Sequence, residues 1–202
     1  MFFAKTPWFV KLIYPDLIWN KSRNEKKIYL TFDDGPVPEA TPFVLNELKK
    51  ANAKATFFMI GDNVRKYPEL KNQVIAEGHS IGNHTFNHLK GWNTDTARYL
   101  ENTAKCGELI NTNLFRPPYG RATFSQLNSI KKTHQIIMWE VLTGDYMPEM
   151  NKEMCLKNAV SHSKNGSIIL FHDSIKAFEN MSYALPKALE YWKNEGFEIC
   201  GL

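Results

Sequence analysis

From Lys26 onward, short runs of β-branched, aromatic and aliphatic residues alternate with longer stretches whose apolar positions recur every three or four residues. The short runs cover residues 28–32, 55–60, 80–82, 114–115, 136–139, 167–171 and 197–199, and each predicts a strand. The longer stretches, around 40–51, 63–77, 95–111, 123–133, 151–164 and 181–195, predict helices, several with a Pro, Asp, Asn, Ser or Thr near the start. A βαβα series of this kind builds a mostly parallel sheet, open or closed into a barrel, with strands buried on both faces. No Gly/Ser/Pro-rich linker and no internal repeat divides it, so residues 26–202 are expected to form one domain.

Residues 1–25 follow a different pattern, rich in aromatics but interrupted by Lys5, Pro7, Lys11, Pro15 and Asp16 before a continuous apolar run can form. That excludes a transmembrane span and argues against a cleavable export signal. The segment is expected to pack its rings on the domain; the alternative is an interfacial anchor lying on a membrane. The net charge of +4, from 25 basic and 21 acidic residues, is too small and scattered for a nucleic-acid footprint. Cys106, Cys155 and Cys200 form neither a CxxC nor a Cys/His zinc pattern and are expected to be reduced. A cytoplasmic location follows as the expectation, with membrane association or export as the alternative, and a monomer by default.

Asp33-Asp34, Gly61-Asp62, His84, Arg116, Asp145 and His172-Asp173 each come just after a predicted strand. A barrel gathers the loops at its strand C-termini around one mouth, whereas an open sheet concentrates ligand groups at a switch point. The expected fold is therefore α/β, a distorted and incomplete (β/α) barrel of about seven parallel strands. There is no GxGxxG and no GxxxxGK[ST], which removes the usual nucleotide sites.

Four clusters carry chemistry. Asp33-Asp34-Gly35-Pro36 sets adjacent carboxylates at a strand end, and a turn at Gly35-Pro36 would let one bind metal while the other handles a proton. His84 and His88 are spaced i, i+4, which predicts both imidazoles on one side of a helical turn. With Asp34 they make a two-histidine, one-carboxylate set, the composition of a catalytic zinc site with room for water and substrate. Phe115-Arg116-Pro117-Pro118-Tyr119-Gly120 is a rigid segment whose guanidinium can pair with a carboxylate and whose N–H groups can face an oxyanion. Leu170-Phe171-His172-Asp173 ends an apolar strand on an imidazole suited to proton donation.

In this order, Asp-Asp-Gly-Pro, His-x-x-x-His, Arg-Pro-Pro-Tyr and Leu-Phe-His-Asp resemble the polysaccharide deacetylases of carbohydrate esterase family 4, the NodB-homology domain, from about Lys26 to the C-terminus. The resemblance implies a distorted (β/α) barrel and metal-dependent removal of acetyl groups from N-acetylated sugars. By matching positions it makes Asp33 the base, Arg116 its orienting partner, Asp34, His84 and His88 the ligands of a divalent metal (zinc first, cobalt, nickel or manganese admissible), and His172 the acid. It also places Pro118, Tyr119, Tyr146, Leu170 and Trp139 against the substrate.

One motif departs. Where the family commonly carries Trp-x-Val-Asp-x-x-Asp-Trp, this chain reads Trp139-Glu140-Val141-Leu142-Thr143-Gly144-Asp145-Tyr146, so a leucine replaces the aspartate that would support the acid histidine. Asp145 is the first substitute, with Glu140 and Asp173 behind it. The expected activity is N-deacetylation of a GlcNAc-containing glycan such as peptidoglycan or a chitin-like oligomer. The alternatives are a deacylase of O-acetylated sugars or small amides, and a sugar-binding pseudoenzyme.

Overall fold

The computed structural model describes residues 2–202. Helix α1 (Trp8–Ile13) precedes the alternating series: β1 (Lys27–Asp33), α2 (Thr41–Ala51), β2 (Thr56–Met59), α3 (Gly61–Lys66), α4 (Pro68–Ala76), β3 (Ser80–Asn83), α5 (Thr96–Gly107), β4 (Leu114–Phe115), α6 (Phe124–Ile130), β5 (Gln135–Ile136), β6 (Val141–Leu142), α7 (Lys152–Ser161), β7 (Ile168–His172), α8 (Phe178–Asn194) and β8 (Glu198–Cys200). Single 3-10 turns lie at Gly91–Asn93 and Pro118–Gly120.

Local chemistry sets many of these boundaries. Asp95 caps α5 by accepting from the Ala97 and Arg98 N–H groups, and Thr123 with Gln126 forms a reciprocal capping box on α6. The stretch 63–77, expected as one helix, is two: Pro68 opens α4 and leaves Tyr67 outside the α region, as the residue before a proline prefers. In α8 the buried residues Met181, Ala184, Leu185, Ala188, Leu189 and Trp192 recur at three- and four-residue spacing and cover the sheet core.

Seven strands lie in the order β5-β4-β3-β2-β1-β7-β6, and each pairing along this path is parallel. β8 joins the edge of β1 opposite β7, at Lys27–Tyr29, below the point where β2 pairs with Thr31–Asp33. The result is the curled, incomplete (β/α) barrel expected from the sequence. β6, a two-residue strand on β7, falls within a stretch that carries no strand pattern of its own.

The open side between β5 and β6 is spanned by the N-terminal segment. Ile18 N–H donates to the Ile136 carbonyl at 2.9 Å and its own carbonyl accepts from Met138 at 2.8 Å, while Leu142 N–H donates to Ala4 and Thr6 N–H to Glu140. Glu140, fully buried, fastens this arrangement through Arg23 at 2.8 Å on both oxygens, Lys11 at 3.2 Å and Ser167 Oγ at 2.8 Å. Burial pushes its carboxyl up, and these partners outweigh burial and hold it below the ordinary range. Cys106, Cys155 and Cys200 are free thiols, the first two buried. Among the described residues no helix is long and apolar enough to cross a membrane.

Candidate active site

The ends of β1, β3, β4 and β7, with the loop after β6, bring the four clusters to one cleft of about 390 Å³, lined by Asp33, Asp34, His84, His88 and His172 on its polar floor. Asp62, at the end of β2, stays outside and pairs with Arg65 and Lys66 of its own helix.

Arg116 is wholly buried, which a guanidinium tolerates only when its donors are taken up. Nη1 donates to Asp33 Oδ1 at 2.7 Å and to Thr31 Oγ1 at 2.9 Å, Nη2 to the Met138 carbonyl at 2.9 Å, and Nε to the Ile137 carbonyl at 3.1 Å. The guanidinium also lies 4.1 Å from the centre of the Phe58 ring. Burial pulls its pKa below the usual arginine range, and Asp33 opposes that fall.

The turn that separates the two aspartates begins one residue earlier than the Gly-Pro pair suggests, because Asp34 itself has φ +79°. Gly35 and Pro36, joined by a cis peptide, follow it. Gly35 N–H donates to Asp173 Oδ1 at 3.1 Å, and Asp173 Oδ2 accepts from Thr41 Oγ1 at 2.7 Å. A Cβ at Gly35 would lie 2.0 Å from Asp173 Oδ2, so only glycine fits. Burial pushes the Asp173 carboxyl up to about 8 against the hydrogen bond from Thr41.

His84 and His88 do not share a helical turn, contrary to expectation. Residues 84–90 form an irregular bend with Thr85 at φ +62° and His88 at φ +55°, and this brings the ring centres to 5.1 Å. Two asparagines hold the bend: Asn83 Oδ1 accepts from Thr85 N–H, and Asn102 Oδ1 from Phe86 and Asn87 N–H, each at 2.9 Å. Neither was singled out in the sequence, although Asn83, two residues before the amide it caps, carries a readable Asx-turn signal.

Asp34, His84 and His88 each offer one donor atom, all within 4.8 Å of one another. Asp34 Oδ1 is buried with no hydrogen-bond partner, at 3.5 and 3.1 Å from the Nε2 atoms of His84 and His88. His84 Nδ1 lies 2.8 Å from the Arg116 carbonyl, which takes the ring proton there and leaves Nε2 as the free ligand atom. Burial pushes the Asp34 carboxyl up, but the two histidines and the His172 charge overcome it and hold it well below the usual carboxylate range. An orphaned carboxylate oxygen facing two imidazole nitrogens fits a divalent cation.

Across the cleft, one carboxylate takes hold of His172 twice. Asp145 Oδ1 lies 2.8 Å from Nδ1, and Oδ2 accepts the His172 backbone N–H at 2.7 Å. Burial disfavours the imidazolium, but Asp145, with Asp34 and Asp33 behind it, raises the pKa to about 9. The two other candidates are engaged elsewhere, Glu140 with the N-terminal segment and Asp173 with Gly35. Trp139, Tyr146, Leu142, Leu170 and Tyr119 wall the cleft, with Tyr146 edge-on to His172 at 4.7 Å between ring centres. Pro118, expected against the substrate, is buried and does not line the cleft; it sits in the turn that sets Tyr119 at φ +60°. Arg121 and Lys176 also line it, and neither belongs to any of the four sequence clusters.

Residues 20–135 match the polysaccharide deacetylase family model. The chain belongs to the polysaccharide deacetylase family. It is 38% identical over 190 residues to a peptidoglycan-N-acetylglucosamine deacetylase of Bacillus cereus, covering 90% of this chain and 88% of that protein. It is 37% identical over 161 residues to a chitooligosaccharide deacetylase of Azorhizobium caulinodans, covering 75% and 76%. The crystal structure of the Bc1960 peptidoglycan N-acetylglucosamine deacetylase, in complex with 4-naphthalen-1-yl-N-oxidanyl-benzamide, superposes with a TM-score of 0.89 at 30% identity, over 98% of this chain and 95% of that one. As a polysaccharide deacetylase this chain is a metal-dependent carbohydrate hydrolase acting on N-acetyl amides.

Proposed function

We propose that this deacetylase hydrolyses the acetamide of N-acetylglucosamine units in a glycan, releasing acetate and leaving the free amine. The observation that carries the reading is the opposition, in one cleft, of the Arg116–Asp33 pair and the Asp145–His172 pair on either side of the Asp34–His84–His88 cluster. Peptidoglycan and chitin-like oligosaccharides are the substrates to test first, since both occur among the relatives' activities.

Asp34, His84 and His88 would hold a divalent cation, zinc by the nature of the ligands, which would supply Lewis-acid polarisation of the acetamide carbonyl and a water of lowered pKa. Asp33 accepts the proton of the attacking water, and Arg116 holds Asp33 in place through a short, buried ion pair. The Tyr119 N–H donates to the oxygen that becomes negative as the carbonyl turns tetrahedral. His172 gives its proton to the departing nitrogen, which would otherwise leave as a very basic amide anion. Asp145 fixes the His172 tautomer with Nδ1 protonated, so that Nε2 carries the proton to be transferred. Leu170 and Tyr146 enclose the acetyl end of the cleft.

Acetate release from chitooligosaccharides, peptidoglycan and O-acetylated xylan by zinc-loaded protein tests the reading, beside Asp33→Ala and a chelated sample. Release from an N-acetylated glycan, absent from both controls, is the expected result. Release from the xylan alone would replace the amide with an ester as substrate, and no release with metal bound would point to a binding role.

A further inference from the structure

Beyond the cleft lies a larger cavity of about 770 Å³, within the size range of sites that enclose small molecules. One wall is the N-terminal segment, through Phe3, Val10, Ile13 and Leu17; the facing wall includes Trp92 and Met138. The cavity adjoins the catalytic cleft, and Tyr119, Arg121, Trp139, Leu142, Tyr146 and Lys176 line both. Its lining is predominantly aliphatic and aromatic, and away from the shared residues Phe3, Val10, Ile13, Leu17 and Met138 offer no hydrogen-bonding side chain to a hydroxyl.

The junction has the opposite character. Arg121 and Lys176 stand there exposed, and among the described residues neither has a carboxylate within 4.0 Å. Arg121 lies 5.0 Å from the Trp92 ring centre and Lys176 lies 5.8 Å from that of Tyr146. Glu149 is the one acidic residue among the described lining of the larger cavity. Ile13 of α1 lines the cavity and is nonetheless 55% exposed, an apolar side chain left in solvent at its edge. Outward from the proton-transfer groups, the molecule therefore presents an acetamido-sugar site, two unpaired cations and an apolar chamber.

That order matches one class of molecule. We infer that this chain acts on a lipid-linked amino sugar, an N-acetylglucosamine joined through a phosphodiester to an apolar chain, with the phosphate between Arg121 and Lys176 and the chain in the larger cavity. The inference rests on the deacetylase reading above and names its substrate more closely.

The test uses the full zinc-loaded chain and N-acetylglucosamine 1-phosphate esters bearing methyl, hexyl or decyl groups, below their micelle concentrations. Neutral decyl N-acetylglucosaminide and chitotetraose serve as references. The decyl phosphodiester is expected to show a KM about tenfold or more below the methyl ester, as burial of several methylenes implies. Arg121→Gln should reduce the advantage of the phosphodiester over the neutral decyl glycoside. Ile13→Asp, at an exposed position, should abolish the gain from the tail while chitotetraose turnover stays at the parent rate. Equal KM values for methyl and decyl esters, or a tail gain that survives Ile13→Asp, would overturn the inference. If no substrate releases acetate, the deacetylase reading fails, and binding decides the matter alone. Saturable quenching of tryptophan fluorescence by brominated decyl phosphate, lost in Ile13→Asp, supports the chamber, and quenching that is absent or linear rejects it.

Discussion

The two sides of the cleft are built by opposite means. On the base side, Asp33 answers to a guanidinium sealed in the barrel, whose donors are shared among an aspartate, a threonine hydroxyl and two main-chain carbonyls contributed by two parts of the chain. On the acid side, His172 answers to one carboxylate from a loop, and that carboxylate holds both the ring and the main chain of the same residue. The first arrangement leaves little room for substitution, because each nitrogen of the buried guanidinium has an acceptor and four of its five N–H groups are engaged. The second needs only a carboxylate within reach, and here it comes three residues after the position at which the family usually has it. The family's fourth motif can therefore lose its first aspartate and still leave an ion-paired histidine in the cleft.

The largest effect expected from this contrast is that of Arg116→Met, which strands Asp33 in the interior. Loss of about 3–5 kcal/mol of stability is expected in urea denaturation, together with loss of acetate release. A variant that stays as stable as the parent would show that the base side is no more rigid than the acid side. Next, Asp33→Asn should lower kcat by about 10²–10⁴-fold, the usual worth of a positioned proton acceptor, while zinc stoichiometry stays at the parent value.

Asp145→Asn acts differently, through pH. Asp145 raises the His172 pKa to about 9 against a burial effect that lowers it. The parent should hold its acid protonated until pH climbs through about 9; with asparagine the burial effect remains, and the alkaline limb of the kcat profile moves to lower pH. The same shift carries a stability consequence: the pair's contribution is complete below the ordinary imidazole pKa and disappears as pH rises through the folded value. Adding Leu142→Asp to Asp145→Asn should move the alkaline limb partway back, and failure to do so would limit the exchangeability of the acid side to the geometry seen here. The smallest effect is that of Leu142→Asp alone, expected to leave kcat near neutral pH within a few-fold while extending the alkaline limb upward.

The same contrast governs how far the site could be read from the sequence. The base side is written in two contiguous stretches, Asp33–Pro36 and Phe115–Gly120, because strand ends present neighbouring residues to one mouth. The partner of His172 is legible only as a choice of three, since Glu140 and Asp145 flank Leu142 and Asp173 adjoins His172 in the chain, and packing alone commits Glu140 to Arg23 and Asp173 to Gly35. The spacing of the histidine pair points to the site but not to its conformation. An i, i+4 interval suits a helix, and nothing in a histidine or threonine announces the positive φ that Asn83 and Asn102 impose on the bend. β6 escaped for a related reason: two residues pairing with β7 leave no periodicity. The larger cavity is not legible at all, because its walls come from distant parts of the chain, Val10 on one side and Trp92 and Met138 on the other.

Asp173 has a mechanical consequence. Its backbone N–H donates to the Asp33 carbonyl at 3.1 Å while its side chain grips Gly35 and Thr41, so the residue after the proton donor is pinned to the turn that carries the proton acceptor. The gap between donor and acceptor is a dimension of the main chain, as fixed as the spacing of two neighbouring strands. The N-terminal segment touches neither end of that gauge, and residues such as Val10, Ile13 and Leu17 shape only the outer chamber. Positions such as Val10, Ile13 and Leu17 can therefore be revised, and with them the shape of the outer chamber, without moving the donor and acceptor beneath it.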